Sequence, residues 1–259
     1  MAASAKIDPM HQFAINAVGG GDLVATPFQF TNSALWMFIV LACILAFMWG
    51  GLKREIIPGR WQVAVEGFVE FISGMTVSSI GPEGRKFTPW IFTIFTFILF
   101  ANYLSLFPSG FIHGGHPFAV TAQFTVTGMM AAISFGIVLV VGFWRHKLHF
   151  FSLFVPHGTP KPMVPLIALI EFISFMVRPF SLALRLFVAM IAGHILFEVF
   201  GNFVVQGINS GTPMGYVIAV IAFIFVLGVN ALELLVCAIQ AYVFALLSSL
   251  YINDAVNLH

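Results

Sequence analysis

The chain has 259 residues, 60% of them hydrophobic and 8% charged, with 31 Phe; an average soluble domain carries roughly a quarter charged residues. That composition belongs to a membrane protein and excludes a soluble globular domain. Eleven Lys and Arg against ten Asp and Glu leave a net charge of +1, too small a basic surplus to hold nucleic acid and no acidic tail.

The opening MAASAKIDPMHQFAINAV is polar and broken by Pro9, without an unbroken apolar run after a basic start. No signal peptide is expected, and residues 1–33 read as an external N-terminal segment. A spanning helix needs about 20 mainly apolar residues. Residues 34–52 are the first such run, stopped by Lys53, Arg54 and Glu55. Residues 61–80 interleave Val63, Val65, Phe68, Val69, Phe71 and Ile72 with Glu66 and Glu70, a pattern that suits an amphipathic helix at the membrane surface. Residues 87–107, ending at Pro108, and residues 118–144 are the second and third spans.

Two longer apolar segments follow, 165–205 and 216–252, joined by the polar loop QGINSGTP. Unbroken helices of that length would run to roughly 55–60 Å, against a hydrocarbon core of about 30 Å. Pro179 is a possible kink in the first, but no Pro interrupts the second, so a tilted hairpin is expected. The expected fold is a single all-α polytopic membrane domain with five transmembrane helices and one interfacial helix. Lys53, Arg54, Arg60, Arg85 and Lys86 fall between the first two spans, and Arg145, Lys147 and Lys161 between the third and fourth. This bias puts those loops and the C-terminus in the cytoplasm and the N-terminus outside. Cys43 and Cys237 sit far apart in apolar runs and read as packing residues.

Arg178 and Arg185 lie inside a span, with Glu171, His194, Glu198 and Glu233 on the same hairpin. An Arg at mid-bilayer costs about 2.5–3.5 kcal/mol on insertion scales, so these charges need a reason. The leading one is an ion path; the alternative is a buried ion-pair network that only fixes packing. At about 100° per residue, the seven-residue spacing of Glu171, Arg178 and Arg185 puts them on one face, while His194 and Glu198 lie on another. Asn230, Glu233, Cys237 and Gln240 form a stripe on the last segment. Folding the hairpin about its loop sets Arg185 opposite Gln240, His194 opposite Glu233, and Glu198 opposite Asn230, with Glu171 further inward. A His beside carboxylates suits a proton relay, and a permanent cation between the outer group and Glu171 separates two half-paths.

RPFSLALRLFVAMIAGHILF (178–197), LELLVCAIQAYVFALLSSLYI (232–252) and FANYLSLFP (100–108) closely resemble subunit a of F-type ATP synthases. The resemblance covers most of the chain from about residue 34, and DPMHQF is similar to alphaproteobacterial and related mitochondrial members. It implies that Arg185 is the essential arginine, Gln240 the glutamine beside it, His194 and Glu233 the polar pair of the outer half-channel, and Glu171 an acid of the inner one. Some bacterial members exchange the acid and the histidine. Arg178 matches no fixed role. Small or adaptable residues near Arg185, namely Ala189, Met190, Ala192 and Gly193, suggest a surface that a ring approaches closely, and plain helix contact within the chain would look the same.

The implied function is proton translocation against a c-subunit ring, coupled to rotation and ATP synthesis. The implied partners are that ring, peripheral stalk b subunits, membrane lipid and the rest of the ATP synthase. The implied location is the bacterial inner membrane, with the mitochondrial inner membrane as the alternative. No cofactor is implied, and without a GxxxxGK loop the chain alone hydrolyses no ATP.

The rival reading is an autonomous secondary transporter or channel, which commonly shows paired internal repeats that this sequence lacks. A metalloenzyme built on His194 and Glu198 lacks a third ligand. His113, His116, His146, His149 and His157 read as loop or interfacial residues rather than metal ligands. Asn102, Tyr103 and Ser105 interrupt the second span in a way that helix contact explains as well as function does.

Overall fold

The computed structural model describes residues 31–51, 59–106, 119–147, 150 and 163–257. The N-terminal segment, Lys53, Arg54, Lys161, the loop histidines His113, His116, His149 and His157, and the last two residues lie outside them. Every regular element of the described residues is helical: α1 (Asn32–Gly51), α2 (Arg60–Ile80), α3 (Thr88–Ser105), α4 (Phe124–His146), α5 (Val164–Asn209) and α6 (Pro213–Val256), with short 3-10 turns at Pro82–Lys86 and Val120–Ala122.

All six helices are long and apolar enough to cross a membrane. Length and apolarity therefore do not set α2 apart from the other five. Its sequence still separates two faces: Val65, Ile72, Met75, Thr76 and Ile80 are buried, whereas Glu66 and Glu70 are exposed. The third span begins later than its apolar run suggests. Val120, Thr121 and Ala122 form a separate 3-10 turn whose three residues are all buried, and α4 starts at Phe124.

The last two helices have 46 and 44 residues. That makes each roughly 65–70 Å long, more than twice a hydrocarbon core of about 30 Å. Pro179 removes one backbone donor, yet α5 continues through it without a break. The connection between them is short because its residues suit the turn. Gly211 takes a positive φ of 63°, which only glycine adopts freely. Thr212 then caps α6, its Oγ1 accepting from the Gly215 amide at 3.1 Å, and Pro213 occupies the first turn.

The hairpin is the spine of the fold: α5 and α6 pack along each other, α3 lies on α6, and α4 lies on both. The main core cluster joins Ile72 of α2, Ile91 and Ile98 of α3, Val138 of α4, Leu186 and Met190 of α5, and Phe244 and Ile252 of α6. The many phenylalanines seal the seams, as where Phe135 and Phe150 meet Phe175 with centroids 5.0 and 6.2 Å away. Such tilted and edge-on pairs are the favoured aromatic geometry. Of the cysteines, Cys237 is buried and Cys43 half-buried, and both are free.

The outward faces of α5 and α6 carry exposed Phe180, Val188, Leu196, Leu232, Leu235 and Ile239. In water such a surface would be a liability. In a membrane it faces lipid or another apolar helix.

Candidate functional site

The antiparallel pairing of α5 and α6 brings His194 to Glu233. His194 Nε2 lies 3.9 Å from Glu233 Oε1, a charge-pair distance rather than a hydrogen bond. Both residues are interior, with relative exposures of 8% and 2%. Neither Glu233 oxygen has a hydrogen-bond partner among the described residues. A buried carboxyl left unsatisfied is expensive, and natural proteins keep such groups for a purpose.

Its seat is provided by Gly193. A Cβ at that position would stand 2.6 Å from Glu233 Oε1 and 2.8 Å from its Cδ. Any larger residue there would drive the carboxyl off the α5 backbone. Met190 serves the interior and not the outer surface, being 1% exposed inside the core cluster, while Gly193 is half-buried. The expectation that Met190 lets a ring approach is corrected accordingly, because the rotation of α5 that exposes Arg185 turns Met190 inward. Of the four small or adaptable residues, only Ala192 is fully exposed.

The sequence reading missed a second part of this cluster. Ser105, at the end of α3, lies 3.3 Å from His194 Nε2. Its single hydroxyl proton goes to the Asn102 carbonyl at 2.7 Å, so the Ser105 oxygen is left to accept from Nε2–H. Asn102 accepts from Thr121 Oγ1 at 2.7 Å and donates to the Cys237 carbonyl of α6 at 3.4 Å. Thr121, Asn102 and Ser105 are all buried. The result is a buried polar string from the 3-10 turn through α3 to His194 and Glu233. The signal was visible as Asn102 and Ser105 three residues apart in an apolar helix; what the sequence lacked was Thr121 as their partner. Tyr103, on the other face, is 39% exposed and takes no part.

Arg185 is different. It is exposed on the apolar face of α5 and makes no hydrogen bond or ion pair to a described residue, including Gln240, which is half-buried on α6. Arg178 is held fast instead. It donates to Asp254 Oδ2 at 2.6 Å, lies 3.8 Å from Glu171 Oε1, and stacks over the rings of Phe175 and Tyr251 at 5.7 and 5.3 Å. The seven-residue spacing thus brings Arg178 to Glu171 directly, and Asp254 is the partner that sequence reasoning did not name. Glu198 and Asn230 are half-buried. Glu198 Oε2 is buried without a hydrogen-bond partner among the described residues, and no bond joins it to Asn230. No group of three or more potential metal ligands occurs among the described residues; His146 instead contacts the Val256 carbonyl at 3.1 Å.

The site therefore consists of a buried acid and histidine fed by a polar string, an outward guanidinium on an apolar surface, and a carboxylate cluster beyond it. Comparison with known proteins agrees in kind. The family model described as ATP synthase A chain matches residues 34–253. The chain is 62% identical to ATP synthase subunit a of Sphingopyxis alaskensis, with all of this chain and 99% of the relative covered. It is 59% identical to the corresponding protein of Rhizorhabdus wittichii, over 100% of this chain and 99% of the relative. With that of Zymomonas mobilis it shares 56% identity over the full length of both. The chain thus belongs to the family of ATP synthase subunit a, the proton-translocating stator part of the F-type complex.

Proposed function

We propose that Arg185 is the cation against which a ring of c subunits turns, and that the polar groups on either side of it are two proton half-paths. The observation that carries this reading is the exposure of Arg185, without an ion pair among the described residues, on an apolar helix face. A guanidinium in lipid costs several kcal/mol, so this surface needs a partner that brings negative charge within the membrane. A ring of carboxylates meets that need. Each ring carboxylate must be neutral where it faces lipid, and gives up its proton where it faces Arg185, since an opposite charge within about 4–6 Å favours the ionised form.

In this reading His194 and Glu233 load the outer half-path, supported by the buried string of Thr121, Asn102 and Ser105. Glu198 and Asn230 continue it outward. The released proton leaves past Glu171, and Asp254 stands beside it through their shared partner Arg178. Gln240 flanks Arg185 from α6. Because a guanidinium keeps its proton in a protein, Arg185 blocks direct leakage, and protons cross only as the ring turns. Each charge moved down 100 mV releases about 2.3 kcal/mol, which reaches the catalytic head as torque.

The family resemblance supports peripheral stalk b subunits as neighbours. The alphaproteobacterial resemblance supports a bacterial inner membrane, and the Lys and Arg bias supports an N-terminus outside and a C-terminus in the cytoplasm. The exposed Glu66 and Glu70 favour an interfacial α2, leaving five spans.

The test is proton flux in vesicles carrying the whole complex, native against Arg185→Ala and Arg185→Gln. ATP-driven pumping and ATP synthesis are expected to fall at least about 100-fold with assembly intact, as for removal of a charge made essential by desolvation. Survival of pumping would falsify the reading.

A further inference from the structure

One cleft plays no part in this path. Where the 3-10 turn Pro82–Lys86 meets the C-terminal ends of α4 and α6, a cleft of about 520 Å³ opens between Glu83, Lys86, Phe87, Val140, Trp144 and Arg145. Its frame is fixed by several bonds. The Gly81 amide donates to the Val77 carbonyl at 2.8 Å and the Phe87 amide to the Gly84 carbonyl at 2.9 Å. From the other side Asn257 Nδ2 donates to the Ile80 carbonyl at 3.4 Å, and His146 contacts the Val256 carbonyl at 3.1 Å.

The cleft is divided chemically. At one end Arg145 holds Glu83 in a fork, Nη1 to Oε2 and Nη2 to Oε1, the latter at 3.3 Å. This hydrogen bonding keeps the Glu83 carboxyl below the usual carboxylate range, and the charge of Arg145 works in the same direction. As a unit the pair is neutral. Lys86 is exposed and makes no ion pair among the described residues, so its charge is the surplus. Arg85 and Lys147, both exposed, adjoin Lys86 and the end of α4.

At the other end Val140 and Trp144, one helical turn apart on α4, are 63% and 87% exposed. A Trp so bare belongs at the boundary between hydrocarbon and headgroups. Basic clefts between helix ends are where acidic headgroups dock.

We propose that this cleft binds an anionic phospholipid, with its phosphate against Lys86 and Arg145 and its acyl chains along Val140 and Trp144. Free phosphate has no use for the apolar wall, and a zwitterionic lipid does not answer the surplus charge. The inference concerns no residue of the proposed half-paths.

The experiment uses the whole complex in nanodiscs of phosphatidylcholine with or without phosphatidylglycerol, and a photoreactive benzophenone amino acid substituted at Val140. Lipid adducts on the α4 peptide are read by mass spectrometry. Phosphatidylglycerol adducts are expected about fivefold above those of phosphatidylcholine at equal abundance, in keeping with about 1 kcal/mol per basic residue near the surface. Lys86→Gln, which leaves the Arg145–Glu83 pair in place, is expected to lower that preference about threefold. Lys86→Gln with Arg145→Gln is expected to abolish it, and high salt to weaken it. Equal adducts for the two lipids, full competition by inorganic phosphate, or adducts to another subunit in place of lipid would each overturn the proposal. Proton pumping is not the readout, so failure here leaves the rotary reading untouched.

Discussion

Arg178 and Arg185 stand seven residues apart on one helix and live in opposite surroundings. Arg178 has two carboxylates and two aromatic rings about it, all supplied by this chain. Arg185 has no ion pair among the described residues and lies on a face of exposed apolar side chains. The same residue type holds helix ends together where its charge is answered internally, and in the proposed reading meets a partner where it is not. The buried polar pair teaches the complementary lesson. Glu233 lies at core depth, 2% exposed, and its oxygens have no hydrogen-bond partner among the described residues, which is costly for a carboxyl kept only for packing.

The sharpest break of the comparison is a matched pair of substitutions. Arg185→Gln is expected to stop ATP-driven pumping, while Arg178→Gln is expected to lower it only several-fold and to loosen the hairpin end, seen as a lower Tm of the complex. Equal losses in the two would erase the distinction between them. The energetic reason is that breaking a partly buried pair leaves a carboxylate unanswered, whereas removing Arg185 deletes the charge on which the reading depends.

Next in size is the pair of His194 and Glu233. Glu233→Gln and His194→Ala are each expected to reduce pumping about tenfold or more, the range typical of a positioned proton-transfer group. The exchanged variant His194→Glu with Glu233→His is expected to recover part of the rate, because the two positions share one depth and either group relays protons. A double variant no better than the single ones argues that the two residues act separately.

Smaller effects belong to the residues that position that pair. Gly193→Ala should displace the Glu233 carboxyl and slow pumping several-fold, since a methyl group there meets it at 2.6 Å. Ser105→Ala removes the acceptor of His194 Nε2–H and should shift the pH profile of pumping as well as its rate. A rate change with an unmoved profile would reduce Ser105 to packing.

The least effect is expected at the Glu83–Arg145 pair. The Glu83 carboxyl is held below its usual range by its hydrogen bond to Arg145, so its contribution to stability is present above the ordinary carboxylate range and is lost as pH falls through the lowered value. Exposed pairs contribute little. Glu83→Gln should therefore leave the Tm almost unchanged at neutral pH, and the remaining difference should vanish in acid. A large loss at neutral pH means the pair closes the turn against α4 and does more than decorate the surface.

Much of this molecule is written along the chain. Apolar runs interrupted by charge fix the helices, because uninterrupted backbone in lipid must satisfy its own hydrogen bonds. The loop QGINSGTP fixes the hairpin, through the αL glycine and the Thr212 cap. Once the hairpin exists, depth matching sets His194 and Glu233 at one level, where the structure places them 3.9 Å apart. Arg185 is legible as a charge in a span whose cost demands an explanation.

Tertiary structure decided what spacing alone leaves open. Whether a residue of α5 faces the core or the outside depends on how that helix is rotated against α3, α4 and α6, and this rotation turned Met190 inward and Gly193 toward Glu233 while leaving Arg185 out. The partner of Arg178 came from the far end of α6, and the string through Asn102 required Thr121 from a turn that the apolar pattern merges into the next helix. Periodicity reports which residues share a face of one helix. Only packing reports which neighbouring face that one meets, and so which polar groups end in a chain, which in a pair, and which are left without one among the described residues.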